Sequence, residues 1–286
     1  MVQLLRKRHK ISGTDLPSHT SVSGTLEPFD PWHSMIPHAD LTELYDPSMI
    51  RDQDVVIHCA ASTRIDPSWE DYSTYYLTNI TASQRLFKEC QKVGVKKFIY
   101  FSSSSVYGNN GQVIQSEDGP LKPSSPYAVS KMAAEAALQV QSLKGDTDLI
   151  IVRPFTMYGD YMNYGKYSLA IAKFVKAWQN GEPLLLEGGG RQRRDYVHVE
   201  DVIRAIDLMI ESSTNGDVYN IGTGTNVSIK EIADVISPKQ VITPARTGAV
   251  ESTLANIDRL RRIGYQPTID ILDWLPVYLD KLTTRK

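Results

Sequence analysis

Lys96-Lys97-Phe98-Ile99-Tyr100-Phe101-Ser102-Ser103-Ser104-Ser105-Val106-Tyr107-Gly108 is the stretch on which the fold turns. Phe98 to Phe101 is a continuous apolar run with the length of a strand buried on both faces, as in a parallel sheet. It passes without a spacer into four hydroxyl side chains and a glycine turn, so the strand is expected over 96–103 with its serines at the carboxyl end. In an open α/β sheet that end is where ligands bind, and a serine there is placed to hydrogen-bond a substrate oxygen. Outward from this stretch, β-branched runs predict strands over 54–60 and 148–153, and a further one over 10–15. Helical periodicity lies between them: 75–93 carries Leu77, Ile80, Leu86 and Phe87, and 126–143 carries Met132, Ala133, Ala136 and Val140. Turns are expected at Gly94, Gly108 and Pro123 to Pro126. The alternation predicts βαβ units around a doubly wound parallel sheet.

Composition narrows the classes of function. With 286 residues, 41% hydrophobic, 22% charged and a net charge of -2, the chain reads as an ordinary globular protein. Nothing in that balance points to nucleic acid or a membrane surface. Cys59 and Cys90 sit in apolar segments and are expected to be reduced, buried thiols, which fits a cytoplasmic protein and argues against a metal site. Met1 to Lys10 lacks the apolar core of a signal peptide, and no apolar run approaches the roughly 20 residues a bilayer requires. After Arg153 and Pro154 the texture turns to more Gly and Tyr, with a turn-rich hairpin expected at Glu187 to Gly190. This predicts a main lobe over 1–155 and a smaller lobe over 156–286, with a strand near 217–221 returning to the main sheet.

Tyr127 and Lys131, four apart just after Pro126, fall on one face of the second helix. An ammonium beside a phenol favours the phenolate, which would let the tyrosine exchange protons nearer neutrality than its usual value of about 10. Alone, Tyr-x-x-x-Lys is weak in a chain with 15 tyrosines, where a solvated lysine beside a partly buried tyrosine is the ordinary reading. The serine-ended strand upstream changes that weighting.

The strand with Ser-Ser-Ser-Ser-Val-Tyr-Gly, followed by Ser125-Pro126-Tyr127-Ala128-Val129-Ser130-Lys131, resembles the extended short-chain dehydrogenase/reductases that epimerise, dehydrate or decarboxylate nucleotide sugars. The resemblance runs nearly end to end, through His58 to Ser62, Arg153 with Pro154, Arg194 to Asp201, Asn220 to Gly224 and Arg246 to Ile257. It implies a Rossmann-like sheet with a smaller C-terminal substrate-binding lobe. It also implies Ser103 as the catalytic hydroxyl, Tyr127 as general base, and Lys131 holding the nicotinamide ribose while lowering the tyrosine pKa. Asp15 is similar to the acid that takes the adenosine ribose, favouring NAD over NADP. Asp40 and Leu41 resemble the adenine contacts, and Ala60 and Ala61 the small residues that let the cofactor approach. Arg194 and Arg246 correspond to diphosphate contacts, work that suits the planar guanidinium fork. Arg191 and Arg193 read as solvated neighbours. A homodimer is implied by the resemblance alone.

Against the family pattern, Val2 to Arg8 reads as the first helix and the strand ending at Asp15 as the second strand. The expectation is therefore a chain that lacks the first strand and its Gly-x-x-Gly-x-x-Gly loop, whether as a fragment, a truncated gene model or a degenerate protein. Gly222-x-Gly224 follows a strand but has Val227 at the sixth position and reads as a decoy. Ser104 and Ser105 stand where the sugar 4,6-dehydratases carry Asp and Glu, which disfavours dehydration. Thr156 replaces the asparagine with which many epimerases reach the substrate. The resulting expectation is NAD-dependent 4-epimerisation of a UDP-hexose or UDP-uronate by transient oxidation at C4. Reduction of a 4-keto deoxysugar nucleotide is the enzymatic alternative, and a non-catalytic remnant that binds nucleotide sugar is the alternative from another class.

Overall fold

The structure, a computed structural model, describes residues 8–12, 40–43, 47–109, 113–160, 162, 164–165, 168–245 and 250–284. β1 (Val55–His58) leads into α1 (Ile65–Glu70), α2 (Tyr72–Tyr76), a π-helical turn over Leu77–Ala82 and α3 (Ser83–Val93). β2 (Lys97–Phe101) continues through a 3-10 turn at Ser104–Tyr107 to α4 (Pro126–Ser142). β3 (Asp148–Pro154) is followed by β4 (Thr156–Tyr158) and α5 (Ala170–Gln179). Then come β5 (Leu184–Glu187), β6 (Arg193–Arg194), β7 (Tyr196–His198), α6 (Val199–Ser212) and β8 (Val218–Ile221). The remaining elements are β9 (Val227–Ser228), α7 (Ile229–Ile236), β10 (Gln240–Thr243), α8 (Asp258–Arg262) and α9 (Ile271–Thr284).

The main sheet has the order β1-β2-β3-β8 and every pairing in it is parallel. Phe98 lies opposite Val56 and Leu149, and Ile151 opposite Val218. Side chains alternate across a strand, so each face of this sheet has its own core. Phe98, Tyr100, Leu149 and Ile151 pack with Leu86, Phe87, Cys90, Ala134 and Leu138 of α3 and α4. Ile99, Phe101, Ile150 and Val152 pack on the other side with Val202, Ile206 and Met209 of α6. Both faces are covered by helices, the doubly wound arrangement that the apolar strand 98–101 requires. A third cluster, including Tyr158, Ile171, Phe174, Ile232 and Leu275, gathers α5, α7 and α9 with the strand pairs β4–β7 and β5–β10.

Several local expectations change. On α4 the buried stripe is Tyr127, Ser130, Lys131, Ala134, Glu135 and Leu138, whereas Val140 is 69% exposed. The apolar face drawn through Met132, Ala133, Ala136 and Val140 is therefore rotated from the true one, because the stripe facing the sheet carries polar side chains. On the preceding helical segment Leu86 and Phe87 are buried but Leu77 is exposed, since the π turn shifts the helical phase between them. At Glu187 to Gly190 there is a turn but no hairpin: β5 pairs parallel with β10, while β6 pairs antiparallel with β9. Of the strand expected over 10–15, residues 10–12 are not in a strand and the rest lies outside the described residues, as do all but one of the residues of Val2 to Arg8. Cys90 is buried, but Cys59, at the carboxyl end of β1, is exposed.

Candidate active site

Strand β2 delivers Ser102 and Ser103 at its carboxyl end, with Ser102 N still bonded to Val152 O of β3 at 2.8 Å. The chain then turns sharply, and Ser103 accepts from Ser105 N. Gly108 ends that turn at φ 54°, and a Cβ there would lie 1.8 Å from the Lys122 carbonyl oxygen, so only glycine fits. Opposite, α4 starts with Ser125 as its N-cap, accepting from Ala128 N at 3.2 Å, and with Pro126 in the first turn. The capped start places Tyr127 and Lys131 one turn apart on the buried side.

Tyr127 is 8% exposed. Its backbone N–H donates to Ser68 Oγ of α1 at 3.2 Å, and the Tyr75 ring packs edge-on at 6.4 Å. Burial holds the phenol above its ordinary value; a hydrogen bond with Ser103 opposes this, and Tyr75 adds to it. Lys131, 3% exposed, donates from Nζ to Phe101 O at 2.6 Å and lies 4.9 Å from the Tyr100 ring centroid. Burial pulls its ammonium down to about 8, against the influence of Cys59 and Glu135. The Lys131 ammonium is thus turned to the strand carbonyl, one helical turn from Tyr127.

The loop after β1 is tied to the same helix. Asn79, fully buried in the π turn, accepts from Ser62 N at 2.8 Å and donates to Ser62 O at 2.9 Å and Ser130 Oγ at 2.8 Å. His58 Nε2 and Ser83 Oγ are 2.8 Å apart, and Ser83 Oγ donates to Asn79 O. The serine proton is committed to that carbonyl, so His58 is the donor in the first bond, consistent with burial holding it neutral at about 3. Between these anchors Ala60 is exposed and Ala61 half-buried, a shelf of small side chains at the ligand end of the sheet near Lys131. That shelf and the buried lysine fit the ribose and nicotinamide end of a dinucleotide. Asp40, whose Oδ1 accepts from Thr42 N and Oγ1, and Leu41, packed against the α3–α4 core, are separate from this group. Asp15 and Arg246 lie outside the described residues.

The other candidates come together around Asp195. Thr156 N donates to Asp195 O, and Thr156 lies opposite Tyr196 in the β4–β7 pair. Arg194 is half-buried with Nη1 donating to Arg193 O, and burial pulls its guanidinium down. Arg193, read as solvated, is exposed, and its guanidinium also meets Asn226 and, at 3.1 Å, Glu231. The Asp195 carboxylate accepts from Thr223 N, Thr223 Oγ1, Gly224 N and Ala255 N. The amides of the Gly222-x-Gly224 loop are thus filled by a resident carboxylate, and a Cβ at Gly222 would lie 2.8 Å from Asp195 Oδ2. This loop is not a phosphate cradle.

A parallel sheet with a Ser, Tyr and Lys constellation at its carboxyl edge defines a nucleotide-dependent dehydrogenase-type fold. Over residues 2–222 the sequence matches the NAD dependent epimerase/dehydratase family, and the chain belongs to that family. It is similar to a UDP-N-acetylglucosamine 4-epimerase from Methanobrevibacter ruminantium M1, solved with UDP-N-acetylmuramic acid, at TM-score 0.89 and 29% identity over 100% of this chain and 94% of that one. A UDP-glucuronic acid 4-epimerase from Bacillus cereus, solved with UDP-glucuronic acid and NAD, gives TM-score 0.85 at 27% identity over 99% and 95%. In sequence, a dTDP-D-glucose 4,6-dehydratase of Dictyostelium discoideum is 32% identical over 194 residues. That match takes in 64% of this chain but 44% of the relative, so it spans less than half of the relative's length.

Sequence reasoning passed over Ser68, Tyr75, Asn79 and Glu135, all buried beside the constellation. Asn79 and Glu135 did leave a trace: each is a polar residue at a helical position whose neighbours in phase are core residues.

Proposed function

We propose that this protein is an NAD-dependent 4-epimerase of a UDP-hexose or UDP-uronate. The observation that carries the reading is Ser103 meeting Tyr127, with Lys131 one turn on, beside the bare Ala60–Ala61 shelf. Tyr127 takes the proton of the sugar 4-hydroxyl and later returns it, and Ser103 hydrogen-bonds the same oxygen. When bound, NAD supplies the two-electron acceptor and donor for C4. Lys131 holds the ribose: an ammonium carries three N–H bonds, so its contact with Phe101 leaves capacity for ribose hydroxyls. Asp15, Asp40 and Leu41 are assigned to the adenosine end of the cofactor, Thr156 to the sugar, and Arg194 with Arg246 to the diphosphate. Residues 1–155 form the cofactor lobe in this reading and 156–286 the substrate lobe, with β8 returning to the main sheet.

The sequence relative that dehydrates its sugar does not alter the choice of reaction, because Ser104 and Ser105 offer no carboxylate next to Ser103. The same proposal includes a homodimer through the helical segment 75–93 and α4, supported by exposed Leu77 and Val140. It also includes a cytoplasmic location, supported by the free thiols of Cys59 and Cys90. Among the described residues no helix is long and apolar enough to cross a membrane.

The test combines calorimetric titration with NAD and proton NMR of the purified chain with UDP-glucose, UDP-N-acetylglucosamine and UDP-glucuronic acid in turn. Appearance of the C4 epimer of one of them is expected. Absence of NAD binding by the folded chain, or loss of water from a dTDP-hexose with no epimer from any UDP-sugar, overturns the proposal.

A further inference from the structure

Helix α4 touches the end of β2 at two consecutive residues, the last of the strand and the one that follows it. Lys131 Nζ reaches Phe101 O, and one helical turn further Glu135 accepts from the Ser102 hydroxyl. Glu135 is 2% exposed, and its partner Arg153, projecting from β3, is 4% exposed. Arg153 Nε donates to Glu135 Oε1 at 3.0 Å and Nη2 to Oε2 at 2.6 Å, a two-bond fork that fixes the carboxylate in direction as well as position. Arg153 Nη1 donates to Tyr107 OH at 3.0 Å and Glu117 O at 3.1 Å. Tyr107 OH in turn donates to Asn220 Oδ1 of β8 at 2.6 Å. Every named member of this buried chain has a partner, so none is free to reorient alone.

We propose that Glu135 and Ser102 are positioning residues of the reaction centre: the carboxylate, clamped by Arg153, holds Ser102 and thereby sets where the Ser103 hydroxyl stands against Tyr127. The link between the two serines is covalent and stiff. Ser103 is fully extended at φ -160° and ψ 146°, so neighbouring side chains project to opposite sides of the chain, and a turn of Ser102 carries Ser103 with it. Glu135 and Ser102 act through Ser103 and need no contact with substrate. The inference rests on the reading of Tyr127 as the acid–base group, and the test keeps the two apart.

Full-length Ser102→Ala and Glu135→Gln are prepared with 3-fluorotyrosine, whose phenol ionises at lower pH than that of tyrosine, and the Tyr127 fluorine resonance is assigned by its loss in Tyr127→Phe. Ser102→Ala removes one hydroxyl and leaves the ion pair intact. In both variants the Tyr127 resonance is expected to titrate at higher pH than in the parent. With the epimerised sugar, kcat falls between about tenfold and a hundredfold while KM changes by less than about twofold. A merely structural role lowers the melting temperature and leaves the Tyr127 titration and kcat where they were; that result in Ser102→Ala overturns the inference. If the parent chain turns over no UDP-sugar, the reading of the activity has failed, and the fluorine titration still decides the positioning claim.

Discussion

Helices α4 and α7 each lay one face on a core, and they do it with opposite materials. The buried positions of α7 are Ile232, Ala233 and Ile236, and its start is a capping box of Ser228 and Glu231. The buried positions of α4 include Tyr127, Ser130, Lys131 and Glu135. Burying polar groups costs free energy unless each finds a partner, and a buried charge costs far more. On α4 the partners exist: Phe101 O for Lys131, Arg153 and Ser102 for Glu135, Asn79 and Tyr127 O for Ser130. Nothing about holding a helix in place demands that arrangement, as α7 demonstrates. The polar stripe of α4 runs along the helix whose start carries the residues to which the proposed reaction is assigned.

Four substitutions can break or sharpen this contrast. Tyr127→Phe should have the largest effect, lowering turnover by about 10²- to 10⁴-fold in a steady-state epimerisation assay while the melting temperature holds, because the proposed proton-transfer group is lost and the ring remains. Glu135→Ala should destabilise the fold by about 3–5 kcal/mol in urea titration, since it strands the buried Arg153 cation. Ile232→Ala on α7 removes only apolar volume and should cost about 2–5 kcal/mol, with turnover per folded molecule unchanged. A stability loss in the Ile232 variant accompanied by a fall in kcat would erase the distinction between the two helices. Ser228→Ala should cost about 1 kcal/mol through the lost cap, again without a kinetic effect.

A pH series adds a sign to the comparison. Burial pulls the folded Lys131 ammonium down to about 8 from 10.5. Between those values the unfolded chain binds more protons than the folded one, so stability rises with pH across the window and is lost as pH falls back through 8. Relative to Lys131→Met, the parent should gain about 3 kcal/mol between pH 7 and 10.5 in urea titrations. No buried position of α7 carries a titratable group to produce such a slope.

The same contrast explains what could be read in advance. The apolar run 98–101, the serines after it and the Tyr127–Lys131 spacing declared the parallel sheet and the end of it where Ser103, Tyr127 and Lys131 gather, because strand burial and helical spacing are local properties. Periodicity of apolar residues then misplaced the inward face of α4, since that face is largely polar. It missed the π turn because an inserted backbone residue leaves no mark in composition. Asn79 and Glu135 escaped for a related reason: their partners, Ser62 and Arg153, are distant in sequence and are brought close only by the sheet. Gly188 to Gly190 announced a turn truthfully, but which strands it joins depends on β9 and β10, far downstream.

Between the end of β3 at Pro154 and the start of β8 at Val218 lie roughly sixty residues, yet the two strands are neighbours. Until Val218–Ile221 docks, β3 presents a row of unpaired amides and carbonyls, the kind of edge that recruits other chains. The fourth strand is therefore a long-range contact that forms slowly, and the loop-closure entropy must be met before its hydrogen bonds are gained. A version of this protein cut at residue 155 would keep Ser103, Tyr127 and Lys131 but leave that edge open, and should collect in inclusion bodies instead of yielding an isolated folded half.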